Sequence, residues 1–127
     1  MNLPDRVILL DGSMGRELRA RGVEIPHTIW SANALMEAPE EVMKIHRDYI
    51  DAGADVITTN TYSVIRRDLA LEGIEHRFEE LNITACELAA EARRRAGRDV
   101  SIAGSLPPLR SSYRPDLVGP DGEIREL

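Results

Sequence analysis

Short apolar runs along this chain are separated by longer segments in which apolar residues recur every three or four positions. Residues 6–10 (Arg-Val-Ile-Leu-Leu) are a continuous β-branched and apolar run that stops at Asp11-Gly12. A run of that length suits a strand buried on both faces, as in parallel sheets. Residues 13–21 have helix-forming composition and end at Gly22, and residues 23–36, with Pro26 and Trp30, read as a long connection holding about one helical turn. The next helix is marked at both ends: Pro39 takes the first position, Glu40 and Glu41 complement the positive pole, and Gly53 follows the last turn. Its apolar face carries Val42, Ile45, His46, Tyr49 and Ile50. Residues 54–59 form a second strand with a polar exit, Asn60-Thr61-Tyr62-Ser63. A short helix over residues 65–71 closes at Gly73. The longest helix spans residues 75–96, with Phe78, Leu81, Ala85, Leu88, Ala89 and Ala92 on one face and Gly97 as its cap. Residues 99–103 form a third strand that opens into Gly104-Ser105. Residues 106–127 carry repeated Pro and Gly and read as an irregular, flexible tail. The order β, α, α, β, α, α, β predicts an α/β fold built of right-handed βαβ units around a parallel sheet.

Composition narrows what such a fold can do. The chain has 127 residues, a net charge of -6, 43% hydrophobic and 30% charged residues, the balance of a folded domain. Its acidity argues against a nucleic-acid partner. No window approaches the roughly 18 apolar residues of a membrane span, and the N-terminus has no secretory pattern, so a cytoplasmic protein without a membrane partner is expected. The single cysteine, Cys86, excludes an internal disulfide and a self-contained multi-thiolate zinc site. No G-x-G-x-x-G follows the first strand and no P-loop is present, which removes the two common nucleotide motifs.

Ligands of parallel α/β folds bind at the C-terminal ends of strands, so the residues after each apolar run are the place to look. Asp11 can hold an ammonium by a charge-assisted hydrogen bond, with Gly12 admitting the ligand to the backbone; Asp11 or Ser13 can equally cap the following helix. Asn60 and Thr61 can bond a carboxylate or amine, or satisfy free backbone groups in a turn. Trp30 can line a pocket or pack a loop. His27, His46 and His76 show no metal-ligand spacing; His46 reads as a hydrogen-bonded histidine at the edge of the core, and Cys86 as a small buried or half-buried thiol. The cations Arg93-Arg94-Arg95 offset the negative end of the longest helix.

Taken together, Asp11-Gly12-Ser13-Met14-Gly15, Trp30-Ser31, His46-Arg47-Asp48-Tyr49, residues 52–62 and Ala103-Gly104-Ser105 resemble, in order and spacing, the N-terminal part of homocysteine S-methyltransferases. The resemblance runs from about Val7 to Tyr113. It departs at Gly15-Arg16, where the family usually has Gly-Thr, and at Leu106-Pro107-Pro108. It implies the first three strands of a (β/α)8 barrel, incomplete here because such a barrel takes about 250 residues. It further implies methyl transfer to the thiol of homocysteine, giving methionine, with a zinc ion held by three cysteines elsewhere in the family domain. The substrate-binding residues it implies are Asp11, Gly12, Trp30, Asn60, Thr61 and Tyr62. The chain alone supplies no zinc ligands and is expected to be inactive, with homocysteine and a methyl donor as partners of the complete domain. Two unpaired strand edges imply self-association or a separate C-terminal half. A non-catalytic half-barrel for assembly or small-molecule binding is the competing reading.

Overall fold

A computed structural model describes residues 6–107. Five helices surround a parallel two-stranded sheet: α1 (Met14–Ala20), α2 (Ala34–Glu37), α3 (Pro39–Asp51), β1 (Val56–Thr58), α4 (Arg66–Leu71), α5 (Phe78–Ala96) and β2 (Ser101–Ala103). Short 3-10 turns lead into α2 (Trp30–Asn33) and α5 (Glu75–Arg77). The connection before α3 is thus more helical than its irregular pattern predicts, and the longest helix begins in α-geometry only at Phe78.

The strongest local signals produce the best-defined elements. Pro39 opens α3, Glu40 and Glu41 lie in its first turn, and Gly53 follows it at φ 109°, a left-handed conformation that costs glycine little. Across from α3, α5 buries Leu81, Ala85, Ala89 and Ala92, and the three alanines let the helices approach closely. One apolar cluster joins α3 and α5 to Leu18 of α1, Leu35 of α2 and Leu69 of α4; a second joins Ile50, Ala89 and Ala92 to Ile57 of β1 and Val100 beside β2. Cys86 follows the buried Ala85 and turns off this stripe, so its thiol is exposed where a buried or half-buried one is expected from sequence.

Two of the three expected strands form. Val56 pairs with Ser101 and Thr58 with Ala103. The first apolar run contributes one parallel bridge, Leu10 to Val56, with Val56 N–H donating to Leu9 O at 3.2 Å and Asp11 N–H to Val56 O at 3.0 Å. Its outer edge has no neighbour among the described residues, and Val7 and Leu10 stand 87% and 64% exposed. The Leu9 N–H donates instead to the Asp55 carboxylate at 3.0 Å, which also receives both terminal nitrogens of Arg6 at 2.9 and 3.1 Å. These donors, Arg6 first, hold the Asp55 carboxyl down at about 2. The expected tail retains no regular structure at Leu106 and Pro107, and residues 108–127 lie outside those described. No described helix is long and apolar enough to cross a membrane.

Candidate functional site

The ends of the Leu9-Leu10 stretch, β1 and β2 converge on a cleft of about 460 Å³. Asp11 forms its floor. Thr58 donates to both carboxylate oxygens, its N–H to Oδ2 at 2.7 Å and its hydroxyl to Oδ1 at 2.9 Å. Each oxygen keeps a lone pair, so the oriented carboxylate can still accept from a ligand ammonium. The cap of α1 is Ser13, whose Oγ accepts from Arg16 N–H at 3.3 Å. Asp11 is therefore not needed for capping.

Gly12 is required by close approach. A Cβ there would lie 2.7 Å from the Tyr49 hydroxyl oxygen and 2.9 Å from two ring atoms. The strand exit thus rests on the Tyr49 ring, whose hydroxyl donates to Ser13 O at 3.4 Å. Burial first, then the charges of Glu17 and Asp11, raises the Tyr49 phenol pKa and keeps it protonated.

The second wall comes from the exit of β1. Asn60 is clamped to the connection before α2, accepting from Ser31 Oγ at 2.7 Å and donating to Ser31 O at 2.9 Å. That clamp seats Trp30, which lines the cleft at 44% exposure with φ 46°, a strained value for a bulky side chain. Tyr62 and Ser63 also line the cleft, whereas Thr61 is placed behind it. Its hydroxyl proton goes to Ser105 O at 2.7 Å, so Thr59 must be the donor in their 2.9 Å hydroxyl pair. Thr61 thereby ties the exit of β1 to the exit of β2.

His46 departs from its expected role. It is fully buried in α3, and neither ring nitrogen has a hydrogen-bond partner among the described residues. Burial holds its pKa down at about 4, against the opposing pull of Asp11.

The comparisons with known proteins coincide with this geometry. A homocysteine S-methyltransferase family model matches residues 8–126. The chain belongs to the homocysteine S-methyltransferase family. It is 36% identical over 124 residues to homocysteine S-methyltransferase of Escherichia coli K12, an alignment covering 87% of this chain and 40% of that protein. Homocysteine S-methyltransferase 4 of Zea mays is 33% identical, with 85% of this chain and 35% of that protein covered. The chain therefore spans well under half the length of these relatives. The crystal structure of the homocysteine methyltransferase MmuM from Escherichia coli, in its metallated form, superposes with a TM-score of 0.73 at 36% identity, covering 82% of this chain and 39% of that one. The described residues are a mixed α/β fragment resembling the N-terminal part of that family fold.

Of the six residues expected to bind substrate, Asp11, Gly12, Trp30, Asn60 and Tyr62 line one cleft and Thr61 stands behind it. Arg16, which the sequence marks only as a departure from the family pattern, and Arg19, which it does not single out, also line the cleft. Chain order held the signal: a helix that begins two residues after a strand exit keeps its first turns beside that exit.

Proposed function

We propose that this chain supplies the homocysteine-binding floor of a methyltransferase that moves a methyl group to the homocysteine thiol, giving methionine. The observation that carries the reading is the Asp11 carboxylate, fixed by two Thr58 bonds and facing a cleft shared with Asn60, Trp30 and Tyr62. Asp11 takes the ammonium, and the apolar side chains of Leu10 and Trp30 flank the aliphatic part. The remaining strands of the barrel come from outside the described residues.

The family's three-thiolate zinc does not fit the residues present. The only cysteine, Cys86, stands exposed on α5, and no group of three His, Cys, Asp or Glu among the described residues is arranged to hold a metal. The 127-residue chain is expected to bind homocysteine, read as a change in emission of its one tryptophan, Trp30, without forming methionine. Stoichiometric zinc together with methionine formation by the pure chain would overturn this division of labour.

Leu10, Val56 and Ser101 lie side by side across the sheet, one residue from each successive stretch. Leu10 is largely exposed, and further strands would pair at the open edges of this sheet. Association of the chain with itself or with a complementary barrel portion is expected in sedimentation velocity. A monomer at high concentration that also ignores the complementary portion counts against it.

A further inference from the structure

Among the described residues, three charged side chains line the cleft: Asp11 on the floor, and Arg16 and Arg19 on α1. In a chain of net charge -6 the cleft is thus locally positive. The carboxylates around α1 are already engaged, since Arg21 gathers Glu17, Glu41 and Asp48 at 3.7, 3.5 and 2.5 Å. No carboxylate among the described residues pairs with Arg16 or Arg19. Helix stability does not account for Arg16, because it occupies the first turn of α1, where a cation opposes the dipole. At i and i+3 the two side chains are neighbours on one face.

We infer that Arg16 and Arg19 form an anion-holding wall that selects a carboxylate-bearing ligand, with Asp11 taking the cationic group of the same or a neighbouring ligand. The inference rests on the reading of this cleft as a homocysteine site and adds a specificity element to it. Guanidinium groups suit the planar, two-oxygen geometry of a carboxylate. Two carboxylates are available to such a wall: that of homocysteine and that of an amino-acid-like methyl donor.

The test titrates the whole chain with homocysteine, with its decarboxylated analogue, with betaine and S-methylmethionine, and with glutarate. The same titrations follow on Arg16→Gln/Arg19→Gln, on Arg16→Lys/Arg19→Lys and on Asp11→Asn, each checked for folding by thermal melt. If the wall holds homocysteine, the Gln pair weakens it by about tenfold or more, leaves the decarboxylated analogue unchanged, and the Lys pair recovers part of the loss. If the wall holds the donor, homocysteine is unaffected and betaine or S-methylmethionine weakens instead. No change with any carboxylate in the Gln pair, while Asp11→Asn still loses homocysteine, overturns the wall and leaves the homocysteine reading standing. A chain that ignores homocysteine but binds glutarate in an arginine-dependent way overturns the homocysteine reading and keeps the wall. Absence of binding by every probe overturns both.

Discussion

Asp11→Asn is expected to weaken homocysteine binding by about ten- to a hundredfold while leaving the fold nearly as stable as before. The separation follows from what the carboxylate does twice. Toward the protein it accepts from the Thr58 N–H and hydroxyl. An asparagine keeps both contacts, its oxygen accepting from the N–H and its amide donating to the hydroxyl oxygen. Toward the ligand it offers negative charge, and a charge-assisted bond to ammonium contributes about 1.5–3 kcal/mol, whose loss gives the stated range. Asp11→Ala is expected to lose the same affinity and, in addition, about 1–2 kcal/mol of stability, because the Thr58 donors are left without an acceptor. Calorimetric titration alongside denaturant unfolding measures both quantities. Equal affinity in Asp11→Asn and the parent would remove Asp11 from the site.

Acidification from pH 6.5 to 4 is expected to cost the fold about 3 kcal/mol through His46 alone. The folded-state pKa is lowered from 6.5 to about 4, so the unfolded chain takes up a proton over this interval and the folded chain does not. Stability is accordingly full above 6.5 and declines as pH falls, at about 1.4 kcal/mol per pH unit, until His46 protonates in place. The Asp55 carboxyl acts in a lower window: its depressed pKa favours the fold above about 4, and that contribution is lost as pH falls toward about 2. The two windows therefore scarcely overlap. His46→Leu is expected to flatten the upper limb and to be more stable than the parent at pH 5 by about 2 kcal/mol. Parallel limbs for the two proteins in urea unfolding across this range would show that His46 is not the group responsible.

How far the molecule is legible in its sequence depends on how local each signal is. Helix α3 is written in Pro39, Glu40, Glu41 and Gly53, all within or beside the element they define. The strand exits are equally plain, because apolar runs end abruptly at Asp11 and Asn60. What escapes are features decided by partners remote in sequence. Residues 6–10 have strand composition, but their pairing with β1 stops at one bridge, and Asp55 takes the Leu9 N–H that would extend the ladder. Thr61 and Asn60 look alike as polar exit residues, yet Ser105 draws the one back and Ser31 holds the other at the cleft. The apolar phase of α3 places His46 inside, but no sequence pattern reports that neither ring nitrogen finds a partner among the described residues. Cys86 lay within reach: Leu81, Ala85, Ala89 and Ala92 define a stripe that excludes it.

The lateral row Leu10, Val56 and Ser101 gathers residues from the start, middle and end of the described chain. Thr58 sits in the same strand as Val56, and its two bonds to Asp11 stitch the first of these stretches to the second. The Thr61 bond to Ser105 stitches the second to the third. The cleft floor is thus also the seam of the molecule. A ligand that grips the floor adds its binding free energy to the cohesion of all three stretches at once, so occupancy and folding are thermodynamically linked here even though most of the apolar core lies elsewhere.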